Sequence, residues 1–276
     1  FDTDEQGRAA TDTVISSEPI YRRFRWDGQR FNEFSADGPL VPFAFTDSTG
    51  LWLWESGEPR QLDERNINDV IWSPDETRLA YEVWWPDDEQ GIWIYDVMRE
   101  TRTLVTATEA AVYTLQWSPG GSVLAYPLAS PPEIRIHDLK NGVEVGLPAA
   151  TEHLSWAPDG RRLVYAERGA LLRYDLATRS STPIVSASES AGSTAPGVYR
   201  PVWSPRGDLI ACVIAEGQSE RPALLSADST DPITAATLSA LPIDVSSSRV
   251  SLRWSPQGDR LSVLAHDPRS LSLIHI

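Results

Sequence analysis

Cysteine is nearly missing from this chain: Cys212 stands alone among 276 residues, so no disulfide can form within it and the apolar core must hold the fold. Flanked by Ala211 and Val213, it reads as a small hydrophobe in a buried strand. Lysine is as scarce. Lys140 is the single one among 24 basic residues, which face 39 acidic residues for a net charge of −15. Such a charge repels a phosphate backbone, which argues against nucleic acid as a partner. No apolar run reaches the roughly 18 residues that a membrane-spanning helix needs, so no insertion is expected within this segment.

The chemistry-bearing motifs are thin as well. No G-x-S-x-G elbow occurs; the nearest approach, Gly217-Gln218-Ser219-Glu220-Arg221, lacks the closing glycine and reads as a loop. His137, His153 and His266 are scattered without i, i+4 pairing, which does not suit a metal site. Asp2-Thr3-Asp4-Glu5-Gln6-Gly7 starts like a calcium loop, but Thr13 stands where a bidentate Glu is required, so residues 1–19 read as an acidic linker or the remnant of an upstream segment. Neither catalysis nor a metal or other cofactor is expected from these residues.

What is abundant is tryptophan, 11 in all, and five of them open one phrase: Trp72-Ser73-Pro74, Trp117-Ser118-Pro119, Trp156-Ala157-Pro158, Trp203-Ser204-Pro205 and Trp254-Ser255-Pro256. The spacings are 45, 39, 47 and 51 residues, the period of a supersecondary unit that buries its faces by stacking on copies of itself. In the unit from Asn68 to Val105, Val70 to Trp72 is a short strand and Ser73-Pro74-Asp75-Glu76 a turn, with Pro74 presetting φ. Leu79 to Val83, Gly91 to Asp96 and Thr101 to Val105 supply three more strands. Four antiparallel strands in about 40 residues make one propeller blade. The order returns at Leu124-Ala125-Tyr126, Leu163-Val164-Tyr165 and Leu209-Ile210-Ala211-Cys212.

The expected fold is therefore an all-β propeller of about six four-stranded antiparallel blades over residues 20–270. The last blade is expected to be truncated after Leu261 to Ala265, with two strands. A degenerate first blade runs through Phe43 and Gly50 to Trp54, in competition with a hairpin of Phe24-Arg25-Trp26 and Gln29-Arg30-Phe31 around Asp27-Gly28. Ser186 to Gly197 and Ala227 to Ser248 read as mobile loops or a poorly patterned strand. Leu271 to Ile276 is similar to the translation of a transposon end used in sequencing libraries and is expected to be foreign to the protein. With Phe1 at the start and no leader, the sequence reads as a fragment.

Trp156-Ala157-Pro158-Asp159-Gly160, followed by a Leu-x-Tyr strand and a Tyr-Asp strand end, resembles the WD40-like repeat of the TolB family and of the propellers in prolyl oligopeptidase-type and dipeptidyl peptidase-type enzymes. That resemblance implies a non-catalytic bacterial scaffold for protein–protein or ligand binding, periplasmic, cell-envelope or extracellular. It alternatively implies the substrate-gating propeller of a serine peptidase whose catalytic domain is missing. The repeated Trp72, Trp117, Trp156, Trp203 and Trp254 are expected to wedge between blades. Three residues before each lie Asp69, Thr114, His153, Arg200 and Ser251, with Asn68, Glu152 and Tyr199 one step earlier. On innermost strands this set either binds a small polar ligand or a peptide end in the channel, or merely solvates the channel and bridges blades. Trp84 and Trp85, beside an acidic loop, read as scaffold or as a grip for a basic protein segment.

Overall fold

The computed structural model describes residues 24–26, 31–33, 43–54, 59–84, 89–187, 197–217, 219–228, 233–234, 240–241, 249–267 and 270–275. Among the described residues every regular element is a strand. Two compact units are distinguished. The smaller, drawn from Phe1–Phe43 and Leu53–Arg60, carries the hairpin of β1 (Phe24–Trp26) and β2 (Phe31–Glu33). The pairing Trp26↔Phe31 puts the second strand two residues later than the sequence suggested. Asp27 and Gly28 lie outside the described residues, as do the acidic segment 1–19 and Trp85.

The sheets that follow are the expected blades. β3 (Phe43–Asp47), β4 (Gly50–Trp54) and β5 (Pro59–Asp63) form the first, so hairpin and degenerate blade coexist. The second and third are four-stranded: β6 (Ile67–Trp72), β7 (Arg78–Val83), β8 (Gly91–Asp96) and β9 (Thr101–Ala107), then β10 (Gln116–Trp117), β11 (Val123–Ala129), β12 (Pro132–Asp138) and β13 (Val143–Pro148). The fourth holds β14 (Leu154–Trp156), β15 (Arg162–Glu167), β16 (Ala170–Asp175) and β17 (Ser180–Ser186). The fifth has three strands, β18 (Gly197–Trp203), β19 (Leu209–Glu216) and β20 (Ser219–Ser226).

The long insertion after β20 contributes one short strand and one bridge. β21 (Ile233–Thr234) adds to the outer edge of blade four in parallel with β17, and Ala240 bridges to Ala223 on β20. The last blade is corrected from two strands to three: β22 (Arg249–Trp254), β23 (Leu261–Asp267) and β24 (Ser270–His275). Ser270 to His275 pairs in full with β23.

The Trp-x-Pro phrase is the turn from the inner strand to the second. In every copy the residue after Trp donates its N–H across the hairpin mouth, from Ser73 to Arg78 O through Ser255 to Arg260 O, at 2.8–2.9 Å. The N–H three residues on closes the β-turn, as Gly160 N to Ala157 O at 2.9 Å. That fourth position needs φ > 0, and four copies place Gly121, Gly160, Gly207 and Gly258 there while Glu76 takes it at φ 57°. The buried Ser73, Ser118 and Ser204 hydroxyls accept backbone N–H groups of the same turn, from Arg78, Val123 and Arg206 at 2.9, 3.1 and 3.2 Å. Consecutive turns lie side by side: a Cβ added at Gly207 would come within 3.1 Å of Pro158 in the preceding blade.

Alternation within the second strand divides its residues between the two neighbouring blades. Ala80 meets Leu124 and Tyr126; Ala125 meets Leu163 and Tyr165; Val164 meets Ile210 and Cys212; Ala211 meets Leu261 and Val263. Trp117, Trp156 and Trp203 fill these junctions at 8, 8 and 4% exposure, whereas Trp72 and Trp254 are half-buried. The expected wedge is therefore complete in the three middle copies only. Arg78 and Arg162, from the preceding blade in each case, lie over the Trp117 and Trp203 rings at 4.9 and 5.3 Å.

Candidate ligand-binding cavity at the inner strands

β10, β14, β18 and β22 border a cavity of about 540 Å³. Its polar lining is Gln116, His153, Ser155, Arg200, Ser251 and Arg253, completed by apolar residues such as Leu154 and Val250. Of the expected set, His153, Arg200 and Ser251 thus converge on one space. Asn68, Asp69, Thr114, Glu152 and Tyr199 do not line it.

Several of those others bridge instead. Asn68 Nδ2 donates to Glu82 Oε2 at 2.6 Å, and Asp69 Oδ2 accepts Leu115 N from the next blade at 3.2 Å. Glu82, with only 1% exposure, also accepts Val112 N of the next blade at 3.2 Å. Thr114 is half-buried and Glu152 exposed. Tyr199 is 42% exposed with its ring over Gly197. Trp84 is half-buried, and Glu89 of the neighbouring acidic loop is engaged internally by Arg65 at 2.6 Å.

A β-bulge aims Arg200. The β18–β19 register shifts between Tyr199 and Val202, and Arg200 adopts φ 49°, a strained conformation for a residue with a Cβ. Its Nη1 reaches both Glu220 oxygens at 2.9 and 2.8 Å and Val250 O at 3.4 Å, while Glu220 Oε2 accepts Val250 N at 3.0 Å. The Arg200 charge is therefore matched and tied to the inner strand of the last blade. His153 is exposed as a residue, yet desolvation holds its imidazole below the usual histidine range; Arg200 lowers it further and Glu152 opposes both. The Arg253 side chain has neither hydrogen-bond nor ion-pair partner among the described residues.

Gln116, Ser155 and Arg253 were missed in the sequence, although the signal was present. Each directly precedes its tryptophan, and the period of two puts that position on the same strand face as the residue three before the tryptophan. Gln116 Nε2 donates to Leu154 O at 2.9 Å, and Ser155 Oγ accepts Trp203 N at 2.9 Å, so both also join blades. Cys212 is shut away from this chemistry, its thiol pushed up to about 12 by burial. Among the described residues no cluster of His, Cys, Asp and Glu could hold a metal ion.

No family model and no curated protein sequence matches the chain. Solved structures do. TolB from Acinetobacter baumannii superposes with a TM-score of 0.52 at 19% identity, over 82% of this chain and 56% of that one. The β-propeller domain of Cps50 (Swd1) from Myceliophteria thermophila superposes at 0.57 and 16% identity, over 78% and 72%. The fold is a TolB-like, WD40-like β-propeller. At these identities the likeness describes the fold of the propeller, and the chain spans little more than half the length of the TolB structure. No helix among the described residues is long and apolar enough to cross a membrane.

Proposed function

We propose that this propeller is a non-catalytic scaffold that takes a protein or peptide partner at the cavity between β10, β14, β18 and β22, in a periplasmic or extracellular setting. The observation that carries the reading is convergence: four blades each send at least one polar side chain into one space of about 540 Å³. Concavity with a few convergent polar groups is how recognition sites are built. The Arg200 bulge supports it, because strained backbone at a mouth costs stability that packing alone would not demand. The likeness to TolB supports the setting.

Selection of a random peptide library on the purified propeller tests the reading. Selected peptides should compete with one another and lose binding to Ser251→Trp, which fills the cavity from an exposed inner-strand position and whose melting curve shows that it remains folded. Peptides that bind Ser251→Trp as well as the parent would place recognition elsewhere. Hydrolysis of ester or peptide substrates above background would remove the non-catalytic part.

A further inference from the structure

The cavity has a charge opposite to that of the molecule around it. Acidic residues outnumber basic ones by 39 to 24 in the chain, yet the cavity is lined by two arginines and a histidine and by no Asp or Glu. Its charges can be followed one by one. Arg200 is neutralised by Glu220 and spends its Nη1 on Glu220 and Val250. Glu152 and Arg200 are the charges that act on His153, and burial with Arg200 keeps that imidazole neutral at neutral pH, with one N–H to donate. One unmatched cation is left, the Arg253 guanidinium, whose donors have no partner among the described residues. In a protein of this composition, a guanidinium without a carboxylate partner among the described residues, lining the same cavity as an imidazole without a hydrogen-bond partner there, is a site with cationic and N–H donors and no anionic acceptor.

The geometry points to a carboxylate of the peptide partner as the group that enters this cavity, held by Arg253 with His153 as second donor. This rests on the cavity being the recognition site. A single free guanidinium matches a monoanion, and its fork suits the two oxygens of a carboxylate. A dianionic phosphate would bring one charge too many next to Glu152 and Glu220 and into a field of −15. The carboxylate can be a side chain or a chain terminus, and the test separates them.

Three short acetylated alanine peptides serve as probes: one with a free C-terminal carboxylate, one amidated with a central Glu, and one amidated and neutral. The readout is the His153 ring resonance in NMR, titrated with each peptide at low ionic strength. At least one charged peptide should shift it saturably, the first if a terminus is read and the second if a side chain is. Binding should raise the apparent pKa of His153 and tighten as the pH falls, because the carboxylate stabilises the imidazolium. Arg253→Gln should weaken binding by about tenfold or more, the usual worth of a charged hydrogen bond, while Arg161→Gln, an exposed arginine on a turn, should not. Equal binding of the neutral peptide would overturn the carboxylate assignment and leave the binding reading standing. Undiminished binding to Arg253→Gln, or no binding of any of the three at millimolar concentration, would also overturn it, and the library selection then decides the broader reading alone.

Discussion

Asp63 and Glu82 are two buried carboxylates that burial pushes the same way and their partners pull apart. For Asp63 desolvation is the largest influence and raises its pKa, but Arg65 contributes hydrogen bonds at 2.9 and 2.6 Å and Tyr81 Oη another at 2.9 Å, and together they hold the carboxyl down to about 2. Glu82 meets no cation: burial raises it, the Asn68 amide and Val112 N offset this in part, and the Asp69 charge adds to the rise. The signs on stability are opposite. Asp63 binds its proton less readily folded than unfolded, so its contribution, on the order of 2 kcal/mol, is present above about pH 4 and is lost as the pH falls toward 2. Glu82 favours the folded state most when protonated, and that share fades as the pH rises through its folded value. Urea melts across this range should show the acid loss shrinking in Asp63→Asn, which also costs about 2–3 kcal/mol at neutral pH because Arg65 loses its charged hydrogen bonds to Asp63 and keeps only Glu89. Glu82→Gln should flatten the dependence from the other side. The repeated tryptophans differ as well. Trp156 Nε1 is buried without a hydrogen-bond partner among the described residues, whereas Trp203 Nε1 donates to Gly207 O at 3.2 Å. Trp203→Phe should therefore lose about 1 kcal/mol more than Trp156→Phe in chemical denaturation.

Among the elements, the Trp-x-Pro turn is where sequence and structure agree most closely. Proline and tryptophan each enforce something local, a fixed φ and a large apolar wedge, so the blades could be counted and their inner strands placed before any coordinates. Trp156→Ala should cost about 3–5 kcal/mol, read from a melting curve. Gly207→Ala should cost about 1–2 kcal/mol for φ at +83°, plus the shift of Pro158 needed to admit a Cβ. The candidate site was only half legible. His153, Arg200 and Ser251 emerged from their offset to tryptophan, but that offset assumes regular strands. The bulges at Ile67/Val70 and Tyr199/Val202 change which side chain faces where, and no residue type in those strands announces them. The inter-blade acceptors Glu82 and Glu220 were also unreadable, because each acts on a backbone group about 30 residues away. The third strand of the last blade is hidden in the sequence because Ser270 to His275 overlaps the stretch that resembles a foreign tail, and that resemblance masks its alternation.

Across the larger unit, stability is a sum over blades and the junctions between neighbours; among the described residues β11, β15 and β19 each contribute to two junction clusters and β23 to one. Hydrogen exchange should accordingly be slowest in β11, β15 and β19, each packed on both faces, and faster in β23. The polar bonds that join these neighbours run almost entirely one way. Glu82 and Asp69 hold backbone of blade three, Gln116 of blade four, Ser155 of blade five, and Arg200 and Glu220 of blade six; among the described residues Trp254 donates back to Val202 O at 3.0 Å, and Tyr81 Oη donates back to Asp63 of the first blade at 2.9 Å. In the other bonds the earlier blade supplies the side chain and the later one only amides and carbonyls, which every residue but proline carries in full. A grafted blade would thus need its inner-strand tryptophan but no particular polar side chain to dock onto its predecessor, and could not receive a successor unless it brought the right polar ones. The array is written to be extended from its amino-terminal side, in the order in which a ribosome would deliver it.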